Sequence, residues 1–276
     1  MPRKWLRLIG LLASLLSLAA CAVDTLQSQG QPPQPIAGTA GVSATASSGD
    51  TGWQPVDQAM ELRTLRLSVG STSGFVTVVR FDPTAYRISV KYDVANAGSM
   101  REWFQALKPL VIVNGGYFDE QRRATALVVF DGIRRGESYN GFGGMLVINE
   151  QGQFELRSLR QQPYDPNEQI QQAMQSAPML IQPGGEVSQL NPDQDRSRRT
   201  VIARDTSGRI LLLVSDIPIF TLPELAQALK NSDLQLDAAL NLDGGRSTGL
   251  YLKTDVASLT IDSMEKLPLV LTVDRP

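Results

Sequence analysis

From Val56 to the C-terminus, short apolar runs alternate with polar, glycine-containing breaks, the pattern of strands joined by tight turns. Phe75 to Phe81, Tyr86 to Tyr92, Ala126 to Phe130 ahead of Asp131-Gly132, and Gly144 to Ile148 ahead of Glu150-Gln151-Gly152 are expected to be strands of antiparallel hairpins. The clearest pair is Thr200 to Ala203 with Ile210 to Val214, split by the turn Asp205-Thr206-Ser207-Gly208. Two more apolar runs, Leu110 to Val113 and Ala238 to Leu240, lead directly into glycine loops. Helical patterns are fewer: Ser99 to Leu107, Pro166 to Gln175, and Leu222 to Lys230, the last with Thr221 as N-cap and Glu224 three residues on. The balance predicts an α+β fold, a mostly antiparallel sheet with a few packed helices, in a single catalytic-type domain spanning 56–276.

The chain ahead of Val56 has a different character. Arg3, Lys4 and Arg7 precede or interrupt an apolar stretch from Leu6 through Leu18, so residues 1–20 read as a secretion signal. Leu18-Ala19-Ala20-Cys21 resembles the lipobox of bacterial lipoproteins, which makes Cys21 the expected lipidation site and its acyl chains the expected membrane anchor. Ala22 lacks the Asp that holds some lipoproteins at an inner membrane, so the periplasmic face of an outer membrane is the expected location in a two-membrane host. Residues 21–55 are rich in Gln, Ser, Gly, Ala, Thr and Pro and read as a flexible tether.

Composition narrows the chemistry. Lys and Arg number 26 against 28 Asp and Glu, a balance that argues against a nucleic-acid surface and for a small, local partner. There is no histidine, which excludes imidazole bases, His-dependent nucleophile systems and His-ligated zinc. Cys21 is the only cysteine, which removes an internal disulfide and a thiolate metal cluster. Catalysis then falls to carboxylates, Tyr, Lys, Arg, hydroxyls or an oxygen-bound metal.

The densest polar sequence is Asn241-Leu242-Asp243-Gly244-Gly245-Arg246-Ser247-Thr248, at the end of an apolar strand. Glycines there let the backbone approach a ligand or form an anion-binding concavity, although a plain tight turn uses the same residues. Asn114-Gly115-Gly116-Tyr117-Phe118-Asp119 is built alike: Asn114 both donates and accepts, and Tyr117 offers an apolar ring, as sugar recognition requires. Arg196-Ser197-Arg198-Arg199-Thr200 is a basic cluster, either a solvated loop or a grip for phosphate oxygens. Gln175-Ser176-Ala177-Pro178 reads as a helix end running into a strand, and Asp216 as a turn carboxylate or a base.

Taken in this order, the motifs resemble those of the phosphodiester glycosidase family. The matching segments are Asn114 to Phe118, Gln175 to Pro178, Arg199-Thr200 with the following hairpin, and Asn241 to Ser247, within a span from about Leu65 to Val273. Ala177 and Arg246 stand where the family has glycine. The resemblance implies cleavage between a sugar's anomeric carbon and the phosphate of a phosphodiester, in a small sugar phosphate or an envelope glycopolymer. It assigns catalytic roles to Asp243, Arg199 and Asn114, with Asp243 as nucleophile, base or stabiliser of the sugar cation and Arg199 on the phosphate. Gly115, Gly116, Tyr117, Thr200, Asn241, Gly244, Gly245 and Ser247 would bind substrate, the Gly244 and Gly245 N–H groups assisting Arg199. Two alternatives stay open: a non-catalytic envelope glycan-binding lipoprotein, and a metal-dependent phosphodiesterase. The second needs clustered carboxylates; the sequence shows no compact ligand motif, so no metal ligand is assigned and a divalent cation is the one candidate cofactor.

Overall fold

The computed structural model describes residues 42–43 and 49–276. The signal segment, Cys21 and most of the tether lie outside the described residues. In chain order the first elements are β1 (Val42–Ser43), β2 (Gln54–Asp57), β3 (Met60–Val69), β4 (Thr72–Phe81), β5 (Arg87–Tyr92), α1 (Met100–Leu107) and β6 (Val111–Asn114). There follow β7 (Val128–Phe130), β8 (Ile133–Arg135), β9 (Gly144–Asn149), β10 (Phe154–Ser158), β11 (Ile170–Ser176), β12 (Met179–Gln182) and β13 (Glu186–Val187). The last are β14 (Arg199–Asp205), β15 (Ile210–Ser215), α2 (Leu222–Lys230), β16 (Leu236–Asn241), β17 (Leu250–Lys253), β18 (Ala257–Ile261) and β19 (Leu269–Asp274).

Three sheets result. Eight strands run in the order β13-β12-β16-β14-β15-β4-β3-β2, six in the order β1-β18-β17-β6-β19-β5, and five in the order β10-β9-β11-β7-β8. Among the described residues only β1 against β18 is parallel. The central core is drawn from all three: Val79 and Leu212 from the eight-stranded sheet, Val113 and Leu271 from the six-stranded, Leu146 and Met174 from the five-stranded. Strands β14 and β15 are buried on both faces, with Ile202 and Leu212 in this core while Val201, Ala203, Leu211 and Leu213 pack under α2. That double burial is why Ile210 to Val214 is a continuous apolar run rather than an alternating one.

The two helices are short and locally specified. Ser99 caps α1 and Thr221 caps α2, each in a reciprocal capping box with the glutamate three residues on. Lys108 ends α1 in a left-handed conformation just before Pro109. With two helices of eight and nine residues against three sheets, the α+β expectation gives way to a mostly β architecture.

The third expected helix, Pro166 to Gln175, is instead the central strand β11, paired with β7 and β9. Its glutamines, good helix formers by propensity, are held by tertiary bonds. Gln172 accepts from the Val90 N–H and donates to Asp131, and Gln175 joins Tyr139 and Ser138. Phe75 to Phe81 and Tyr86 to Tyr92 are strands as expected but not partners, β4 joining the eight-stranded sheet and β5 the six-stranded. The folded body also takes in residues ahead of Val56. Asp50 forms a two-pronged ion pair with Arg63, both bonds 2.8 Å, and the Trp53 ring lies 3.6 Å from the Arg80 guanidinium.

Candidate functional site

Strands β6 and β16 belong to different sheets, yet both end at the same place, and Asn114 ties them there. Its Nδ2 donates to the Asp243 carbonyl at 2.7 Å, while its Oδ1 accepts from Thr200 Oγ1 at 2.7 Å and from the Gly249 N–H at 3.1 Å. Asn114 is 1% exposed, so both ends of the amide are used inside the protein. It ties down the Asp243 loop, with Thr200 as its buried partner. Beside it, the Gly115 N–H binds the Leu269 carbonyl at 2.9 Å and the Gly116 N–H faces Met174 sulfur at 3.0 Å, so these two glycines supply wall rather than free donors.

The Asp243 loop is held from below by β14. Gly244 lies so close to it that a Cβ would sit 2.7 Å from the Arg198 carbonyl oxygen, and Gly245 takes φ +58° while its N–H donates to that same oxygen at 2.8 Å. The Gly244 N–H donates at 2.8 Å to Asp243 Oδ1. Neither amide is free to hold a phosphate, which corrects the role the sequence suggested for them. Gly244 instead supports the carboxylate itself.

Asp243 makes no ion pair among the described residues. Burial pushes its pKa up to about 6; the Gly244 N–H opposes the rise, and the charge of Glu265 adds to it. Ser247 is buried and donates to Glu265 at 2.9 Å.

Tyr117 gathers the remaining residues. Its hydroxyl donates to the Ala177 carbonyl at 3.0 Å and accepts from Asn241 Nδ2 at 2.8 Å. Burial, then the charge of Asp243, push this phenol up to about 12, against the pull of Arg199 and Asn241, so it stays a proton donor. Asn241 thus bonds this hydroxyl directly, while Asp243 and Arg199 act on it through their charge. Asn241 Nδ2 also donates to the carbonyls of Ala177 and Leu242, while its Oδ1 is buried without a partner, as is Ser176 Oγ. Unpaired buried acceptors of this kind are costly.

Arg199 is 7% exposed and is steered by the segment before it. Nη2 donates to the Asp195 carbonyl at 2.6 Å, Nε reaches the Phe220 carbonyl at 3.4 Å, and the carboxylates of Asp193 and Asp195 stand off at 3.8 Å. Within the arginine cluster the side chains part: Arg199, which opens β14, bonds the Asp195 carbonyl, while Arg198, just ahead of the strand, bonds the Asp262 carbonyl. Asp216 is exposed in the turn after β15. Ala177 and Pro178 have a second surface, on a cleft of about 300 Å³ that Phe142, Arg160 and Asn191 also line. Among the described residues no three Asp or Glu side chains gather as a cation site.

Two glycine loops thus meet at a carboxylate that makes no ion pair among the described residues, beside a buried tyrosine, on a mostly β scaffold. The chain belongs to the phosphodiester glycosidase family, whose model matches residues 108–272, well over half its length. The structure is similar to the zebrafish N-acetylglucosamine-1-phosphodiester alpha-N-acetylglucosaminidase catalytic domain auto-inhibited by its pro-peptide, at 20% identity and TM-score 0.62 over 81% of this chain and 85% of that one. It is also similar to a hypothetical protein from Synechocystis, at 15% identity and TM-score 0.58 over 79% and 62% of the two chains. A putative exported protein from Burkholderia pseudomallei matches at 12% identity and TM-score 0.53 over 75% of each. No curated protein matches the sequence.

Proposed function

We propose that the chain hydrolyses the bond between the anomeric carbon of a sugar and the phosphate of a phosphodiester. The observation that carries this reading is Asp243: a partly buried carboxylate that makes no ion pair among the described residues, on a loop pinned by Asn114 and Gly244, with its charge felt by Tyr117. Above about pH 6 it is ionised and able to meet positive charge developing at the anomeric carbon, directly or through an attacking water. Arg199 faces the departing phosphate, and Asn241 Oδ1 takes a sugar hydroxyl. The phosphate leaves with the electron pair of the broken bond. A phosphomonoester, with a second pKa of ~6, needs little protonation on departure, which suits a chain without histidine. Family membership and the zebrafish enzyme's named activity support the reaction class. The Leu18 to Cys21 motif supports an envelope location, with the protein held by acyl chains on Cys21.

The test is turnover of a panel of sugar-1-phosphodiesters in ¹⁸O-labelled water, with membrane and soluble fractions assayed separately. Free reducing sugar carrying the label, released mainly by the membrane fraction, is expected. Asp243→Asn and Arg199→Ala are each expected to lose about 10²-fold or more in kcat. Label in the phosphate would mean phosphorus–oxygen cleavage and reject the reading; near wild-type rates in both variants would reject the site.

A further inference from the structure

Arg246 and Arg198 are left over by this site. Arg246 is exposed and makes one side-chain bond among the described residues, from Nη2 to the Met264 carbonyl at 2.8 Å. Arg198 is 8% exposed and also has a single side-chain bond, from Nη2 to the Asp262 carbonyl at 3.1 Å, while Nε and Nη1 are buried with no partner. Neither guanidinium lies within ion-pair distance of a carboxylate among the described residues. Nearby carboxylates are engaged elsewhere: Asp262 by Tyr251 and Arg101, and Glu265 by Ser247. Asp216 is exposed, in the turn across from Arg198.

Both arginines donate to carbonyls of one strap, two residues apart: Arg198 to Asp262 and Arg246 to Met264. That strap is fixed: the Met264 N–H donates to the Arg246 carbonyl at 2.7 Å, and Ser263 accepts from the Met100 N–H at 3.1 Å. On its other side the Arg198 backbone carries Gly245 of the Asp243 loop. A buried guanidinium with two idle nitrogens is unfavourable unless an anion completes it, and burial already draws the Arg198 pKa down against the opposing pull of Asp216 and Asp262. Forked guanidinium donors match phosphate oxygens in geometry as well as charge.

We propose that Arg198 and Arg246 form a second phosphate site beside the Asp243 loop, which holds a further phosphate group of the substrate. The favoured substrate is then a glycosyl phosphate with more than one phosphate, such as a chain of sugar phosphodiesters. That extension rests on the glycosidase reading; the anion site itself does not. The experiment is calorimetric titration of the full chain with inorganic pyrophosphate. Wild type is expected to bind. Arg246→Ala, at an exposed position where folding is not at stake, is expected to bind about tenfold or more weakly, and Arg198→Lys, which keeps charge but not the fork, is also expected to weaken. No binding by wild type, or equal binding by wild type and Arg246→Ala, overturns the proposal. Pyrophosphate binding that tracks the arginines in a chain without hydrolytic activity would keep this site and remove the enzymatic reading.

Discussion

Asp243 is held between two protonation states by its surroundings, and this ties its chemistry to its cost. Its folded pKa of about 6 lies above the 3.8 of a free aspartate, so the folded state binds the proton more tightly than the unfolded chain does. The resulting stabilisation is present below pH 3.8 and is lost as pH rises through about 6. Asp243→Asn, which keeps an acceptor for the Gly244 N–H, is expected to raise the thermal midpoint above pH 7 and leave it unchanged near pH 3.5. Activity moves in the opposite sense. The wild-type pH profile of kcat/KM is expected to fall on the acid side with an apparent pKa of about 6, because only the ionised carboxylate works. Comparing thermal scans of the two proteins at both pH values with the wild-type rate profile checks both halves. The sequence singled out this residue through its polar, glycine-rich neighbours; the raised pKa comes from burial, which depends on chain folded over it from β6 and β14.

At the level of elements, the site is a junction between two sheets rather than a property of either loop. Asn114 ends a strand of the six-stranded sheet, and through it Thr200 of β14, Gly249 and the Asp243 carbonyl are joined. Asn114→Ala strands the Thr200 hydroxyl and the Gly249 N–H in a buried place, with an expected loss of about 3 kcal/mol in stability. It is also expected to lower kcat with little change in KM, since Asn114 sets the loop's position. Chemical denaturation and steady-state kinetics on the same preparation separate these effects. Such a role was not legible in sequence, where Asn114 suited sugar hydroxyls by its donor and acceptor pair. Helix α2 was legible because the capping box at Thr221 is a local signal, and the one at Ser99 that starts α1 is of the same kind. Strand β11 was not, because Gln172 and Gln175 find their partners in β5, in the turn after β7 and in the Ser138-Tyr139 loop.

Across the whole molecule, the N-terminal boundary shows how composition and packing diverge. Residues 49–55 look like tether by composition, yet Asp50 pairs with the largely buried Arg63, and Trp53 covers the Arg80 guanidinium. A chain starting at Val56 is expected to be less stable than one starting at Gly49 by about 2 kcal/mol, with Tm lower by roughly 4–8 °C. Differential scanning calorimetry of the two chains measures this. Because Arg63 holds the Asp50 pKa down at about 2, the part of the difference due to that pair is present above pH 3.8 and fades as pH falls toward 2. What the sequence determined by itself was local: glycine turns, helix caps, the two-sided apolar strands β14 and β15, and the exclusion of histidine chemistry. Tertiary structure decided which amides were already occupied, that both ends of the Asn114 amide are bonded inside the protein, and that the adjacent Arg198 and Arg199 take different partners. These depend on partners as far as 135 residues apart, as between Asn114 and Gly249, and no local pattern encodes a contact of that range.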